Sequence, residues 1–242
     1  MRIARLAFFL LTCLLVAQLA WAQAATDIDS DPHYSLLLLA NDQVRVYQVS
    51  LRRGERSFVR HEHNFLIVTL EDCEVAMWPE GNSDIMMRRF VQGNVGFYFG
   101  GRAIGLRNEQ AATYQNVTVE FLDPKVTTYS YQWSTGKWDY GATATSSPVD
   151  PHLPFANRLP LGPANAIDVQ LLPNGFLPAP DHRSAELLIP VTDIDLRVGD
   201  DSIRRSAGEA LWIPAGRKSK LVNAAEVPAR FAVVQFPEPG GN

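Results

Sequence analysis

Beyond position 24 no window of 12 residues keeps a 3.6-residue apolar period, so no long helix is predicted. Short runs of β-branched and aromatic residues recur instead, separated by turn residues. In the first half they cover Val44–Leu51, Phe65–Leu70, Val75–Trp78, Val95–Phe99 and Thr113–Phe121. In the second half they cover Ala185–Val191, Ile194–Val198, Glu209–Ile213, Ser219–Asn223 and Phe231–Phe236. Many short strands at even spacing predict an all-β sandwich or barrel.

The two sets repeat. Gly54 precedes His61 by seven residues, and Gly175 precedes His182 by seven. Leu70–Val75 matches Val191–Leu196 at the same offset of 121 residues. Gly93, Gly101, Asn108 and Phe121 then match Gly208, Gly216, Asn223 and Phe236 at an offset of 115. The longer loop at Pro79–Asp84 absorbs the difference. A tandem duplication explains the pattern.

The N-terminal segment is read apart from the fold. Arg2 and Arg5 precede a mostly apolar run, Leu6–Leu19, and Ala20-Trp21-Ala22 gives a small-x-small cleavage pattern. The run is shorter than the ~20 residues that span a bilayer. Residues 1–24 are therefore expected to be a signal peptide cleaved after Ala22, leaving a periplasmic or secreted protein without a stable membrane anchor. Removing Arg2 and Arg5 leaves 20 basic against 26 acidic side chains, a charge of −6. That balance is a poor footprint for nucleic acid.

With Cys13 removed, Cys73 is the remaining cysteine, so no internal disulfide is expected. Its acidic neighbours, which would raise a thiol pKa, make Cys73 a packing or turn residue rather than a nucleophile. Asn116-Val117-Thr118 matches a glycosylation sequon, relevant only to a eukaryotic source. Five prolines between Pro148 and Pro163 predict a linker over residues 134–162. It separates an N-terminal barrel, 33–133, from a C-terminal barrel, 163–242. Tyr129, Tyr131 and Trp133 alternate at the linker's start, as on one strand face, and an aromatic ligand platform is the sharper alternative.

Two motifs carry a resemblance. Gly54 is followed after six residues by His61-Glu62-His63, and Gly93 by Phe99-Gly100-Gly101, Ile104 and Asn108. The second half has Gly208, Pro214-Ala215-Gly216, Ser219 and Asn223. In this order, inside a strand-rich duplication, they resemble the two conserved motifs of the cupin superfamily, arranged as a bicupin. The resemblance covers about residues 40–122 and 163–237 and implies two tandem jelly-roll barrels.

A cupin metal site is implied to hold three histidines and one carboxylate. Here Ile67 and Val68 stand where the carboxylate falls, and Ile104 stands for the third histidine. In the second half His182 matches His61, but Ser184, Leu188 and Ser219 occupy the remaining ligand positions. Glu186 shares parity with His182. Strand alternation would turn His61 and His63 into the barrel together. Two imidazoles alone bind first-row metals weakly. The pair is read as polar barrel residues, and no cofactor is expected. A divalent transition metal at His61 and His63, completed by Glu71 or His33, is the cofactor the resemblance leaves open.

The expected ligand-binding interior comprises His61, His63, Ile104, His182, Ser184, Glu186 and Ser219. The C-terminal interior, with His182, Ser184, Glu186 and Ser219, reads as the more polar host. The leading functional reading is an exported, non-catalytic bicupin that binds a small molecule or a protein partner in or between its barrels. One alternative is a metal-dependent dioxygenase or isomerase using His61 and His63. The other is a structural or assembly protein.

Overall fold

A computed structural model describes residues 24–34, 36–82, 84–128, 155–180 and 183–237, with backbone only at 36–38 and 155–158. Apart from two single-turn 3₁₀ helices, Ile28–Ser30 and Pro32–Tyr34, its regular elements are strands. In the N-terminal half they are β1 (Thr26–Asp27), β2 (Leu36–Ala40), β3 (Val44–Leu51), β4 (Arg56–His61), β5 (Phe65–Thr69), β6 (Cys73–Pro79), β7 (Met86–Phe90), β8 (Val95–Tyr98), β9 (Arg102–Asn108) and β10 (Tyr114–Phe121). The C-terminal half has β11 (Phe155–Leu161), β12 (Ala164–Leu171), β13 (Phe176–Leu177), β14 (Ala185–Pro190), β15 (Ile194–Val198), β16 (Asp201–Arg205), β17 (Leu211–Ile213), β18 (Leu221–Asn223) and β19 (Ala229–Phe236).

Each half is a two-sheet barrel, and the strand orders coincide. Sheet β2-β3-β10-β5-β8 corresponds to β11-β12-β19-β14-β17. Sheet β4-β9-β6-β7 corresponds to β13-β18-β15-β16, with β1 added in parallel to β4 at the N-terminal edge. The duplication extends to single hydrogen bonds. Asn108 Nδ2 donates to the carbonyls of Leu51 and Ala112, at 2.9 and 2.7 Å. Asn223 Nδ2 donates to those of Leu171 and Val227, at 3.2 and 2.8 Å.

The two barrels meet through the β2-β3-β10-β5-β8 and β11-β12-β19-β14-β17 sheets. Leu66, Val68, Val117, Val119 and Phe121 pack with Leu187, Ile189, Val234 and Phe236 in one buried cluster. The Phe121 and Phe236 rings are 6.1 Å apart. This explains why β5 and β14 are buried at every residue while outer strands such as β4 alternate. A strand covered on both faces reads as a continuous apolar run. Arg230 spans the junction: it pairs with Asp168 and donates to the Gln92 carbonyl at 2.7 Å. Gly93, at φ +80°, leaves the room: a Cβ there would lie 2.0 Å from the Arg230 guanidinium carbon.

Three expectations change. Residues 155–161, assigned to the linker, form β11, paired with β12 from Phe155↔Gln170 to Leu161↔Ala164. β11 is an edge strand, where Pro160 removes no ladder bond that the sheet needs. The N-terminal barrel begins before residue 33, because β1 and both 3₁₀ turns pack onto it through Ile28 and Tyr34. Asn116 of the sequon is 1% exposed and turned into the barrel, out of reach of a glycosyl donor. The Tyr129–Trp133 alternation lies outside the described residues.

Candidate functional site

The inner face of the N-terminal barrel is built by strand parity. On β10, Val117, Val119 and Phe121 face the other barrel, so Tyr114, Asn116, Thr118 and Glu120 line the interior. On β4 the same rule turns Ser57, Val59 and His61 inward, and all three are buried. His61 and Glu120 are each 2% exposed at the side chain, and Nδ1 of His61 lies 3.1 Å from Oε1 of Glu120.

The acceptor-only carboxylate fixes the tautomer: Nδ1 carries the proton and donates to Glu120, leaving Nε2 as an acceptor. Tyr34 from the second 3₁₀ turn supplies its hydroxyl 3.5 Å from Nε2. The imidazole stacks on Phe65, with centroids 3.8 Å apart, and Tyr34 meets it edge-on at 5.6 Å. Burial, then Asp31 and Glu120, push the Tyr34 phenol well above the ordinary tyrosine range, which keeps it a neutral donor. Asp31 is anchored in turn by the Ser57 hydroxyl at 2.8 Å.

Other expected residues of this barrel fall elsewhere. β4 ends at His61, and the chain bends through Glu62 and His63. The strand alternation expected to turn His63 inward beside His61 therefore ends too soon, and His63 sits half-buried in the bend. Gly100 packs against this bend, where a Cβ would lie 2.4 Å from the His63 carbonyl. Ile104 is partly buried against Phe65, Ile67 and Tyr98. Val68 faces the other barrel. His33 approaches the Ser50 carbonyl and Glu55, and Glu71 is exposed.

In the C-terminal barrel Glu186 does face inward, but towards an unforeseen partner. Arg217 donates to it twice, Nε to Oε2 at 2.6 Å and Nη2 to Oε1 at 3.0 Å. Gln235 adds a third bond at 3.2 Å, and Arg217 also holds the backbone carbonyl of Ser219. The Ser219 side chain is half-buried in the bend before β18, and Ser184 is half-buried just before β14. His182 lies outside the described residues. Among the described residues, Ser57, His61, Thr69, Asn116, Thr118 and Glu120 are buried in the first barrel, and Glu186 and Arg217 in the second.

Solved structures share this arrangement. AerE from Microcystis aeruginosa aligns with a TM-score of 0.59 at 9% identity, covering 82% of this chain and 89% of that one. Procruciferin, an 11S globulin from Brassica napus, aligns at 0.57 and 12% identity, covering 85% and 83%. A cupin 2 conserved barrel domain protein from Leptotrichia buccalis aligns at 0.52 and 11% identity, covering 83% and 87%. The chain has the bicupin fold. No protein-family model and no curated protein sequence matches it.

For this bicupin the donor set does not fit the metal that its fold family implies. His61 has both nitrogens engaged within the barrel, His63 is out of register, and Ile67, Ile104 and Leu188 offer no lone pair. No three His, Cys, Asp or Glu side chains converge among the described residues. Tyr34, His61 and Glu120 form a chain of bonds that orients the three side chains. Glu120, Tyr34 and Arg217 were missed in the sequence because none lies at a family ligand position. Glu120 did leave a signal: Tyr114, Asn116, Thr118 and Glu120 place a polar or amphipathic residue at every second position of an apolar strand.

Proposed function

We propose that the protein is exported and works as a non-catalytic binding bicupin, its barrels serving as rigid supports rather than metal-bearing chambers. His61 carries this reading. Its two nitrogens are committed to Glu120 and Tyr34, in a barrel whose carboxylate and third-histidine positions hold Ile67, Val68 and Ile104. The second barrel supports it as well, since Glu186 is neutralised by a buried arginine that Gln235 and Ser219 help to hold. Export rests on the Arg2–Ala22 segment.

The deciding experiment is elemental analysis of the mature protein. It should hold well under one equivalent of transition metal, and chelation should leave its Tm unchanged, because only a ligand bound to the native state raises stability. Stoichiometric Fe, Mn, Ni or Zn that survives dialysis, and is lost from His61→Ala and His63→Ala variants, would overturn the reading. N-terminal sequencing of the exported form should begin at Gln23. A membrane-retained chain starting at Met1 would overturn export.

A further inference from the structure

We propose that the outer face of the β4-β9-β6 sheet binds an anionic sugar, a pyranose bearing a carboxylate, with Trp78 and Phe58 beneath the ring and Arg56 and Arg107 at the charge. The inference rests on the binding reading above and places the site outside the barrel. Strand register sets the platform. Gly105 of β9 lies between Phe58 of β4 and Trp78 of β6. A Cβ at Gly105 would fall 1.9 Å from Cε2 of Trp78, so the indole occupies the space above that glycine. The Phe58 and Trp78 rings are nearly parallel, 19° apart in plane and 6.4 Å apart at their centroids, and both residues are partly exposed. Covering a glycine accounts for the tryptophan. It does not account for a second aromatic alongside, facing solvent.

The adjoining register row supplies the charge. Arg56 and Arg107 are direct cross-strand partners, and like charges in that position destabilise a sheet. Arg107 pairs with Glu109 at 2.5 Å, yet its buried Nε has no acceptor. Arg56 is exposed and, among the described residues, has no ionic partner. On the same face Arg60 is already matched by Glu80. A protein with a net charge of −4 has thus placed two arginines side by side, next to an aromatic floor. Guanidinium forks match carboxylates, and aromatic faces match the C–H faces of a pyranose. An acidic peptide would use the arginines but has no need of the paired rings.

Calorimetric titration of the mature chain with trigalacturonate tests this, with maltotriose and hexaglutamate as comparators. Trigalacturonate should bind saturably, weaken as salt is added, and bind at least about tenfold more tightly than either comparator. Arg56→Gln and Trp78→Leu should each weaken it by about tenfold or more, while Arg204→Gln in the second barrel changes nothing. Leucine keeps Gly105 covered; should that variant fail to fold, exposed Arg56→Gln decides alone. No saturable binding up to ~10 mM, equal binding of hexaglutamate, or unaltered affinity in Arg56→Gln would overturn the inference. The metal content of the protein is unaffected by any of these outcomes, so the non-catalytic reading is tested separately.

Discussion

The two barrels share a backbone and solve the same interior problem with different chemistry. Phe65 and Glu186 occupy equivalent places, each opposite a residue near the end of its neighbouring strand, Glu120 in one barrel and Gln235 in the other. In the first barrel the carboxylate on that neighbouring strand is answered by a histidine, and a tyrosine from the N-terminal segment completes the chain. In the second, the carboxylate has moved across the register to β14, and an arginine answers it. Duplicated backbones therefore fix where a buried polar group can sit. Each copy must then satisfy whichever group it carries, because an unpaired one in a low-dielectric interior is costly.

Breaking the ionic solution should have the largest effect. Arg217→Met leaves the Glu186 carboxylate buried without its cation, at a cost of about 3–5 kcal/mol in urea unfolding. The double variant Glu186→Leu/Arg217→Met should recover most of that loss, since replacing both partners by apolar groups is often close to neutral. A double variant as unstable as the single one would show that Arg217 acts through packing and its bond to Ser219, not through Glu186.

The next effect tests where the barrels are the same. Asn108→Ala and Asn223→Ala each strip two carbonyls of their donor, and each should cost about 1–3 kcal/mol. The two losses should agree within ~0.5 kcal/mol, the precision at which independent sites compare. A large inequality would mean that the duplicated bonds are geometrically alike but energetically distinct.

Legibility in the sequence followed the same division. Asn108, Asn223 and the glycines of each second motif are fixed by backbone geometry, so a repeat search finds them, and the bicupin fold with them. The apolar runs at Phe65–Leu70 and Ala185–Val191 announced strands, though not that they are buried on both faces with the other barrel as the second cover. The polar solutions were harder. Glu120 pairs with His61 across 59 residues, and Arg217 with Glu186 across 31, so no local spacing reports either bond. The expected pairing of His61 with His63 rested on strand alternation, but the strand stops at His61, and a two-residue period holds only while the strand does. β11 was hidden because Pro160 reads as a linker residue unless the strand is known to lie at an edge.

The smallest effect appears only at high pH, and it separates the barrels by composition. All tyrosines of the described residues lie in the N-terminal barrel or its docked segment, and the C-terminal span 155–237 has none. Burial, then neighbouring charge, raises the Tyr34 phenol, and burial also raises Tyr114. The sign follows from proton linkage: a group with a raised folded-state pKa contributes stability fully below its unfolded value of about 10, and loses it as pH climbs above. The first barrel should therefore loosen in alkali before the second, with tyrosinate absorbance rising ahead of any change at Trp212. Tyr34→Phe and Tyr114→Phe should both flatten this alkaline loss. At neutral pH Tyr34→Phe should also cost about 0.5–1.5 kcal/mol, because it forfeits its bond to His61. If the double variant lost stability above pH ~10 as steeply as the parent, the alkaline response would have to come from other groups. The tyrosine-bearing interior would then not be what distinguishes the first barrel from the second.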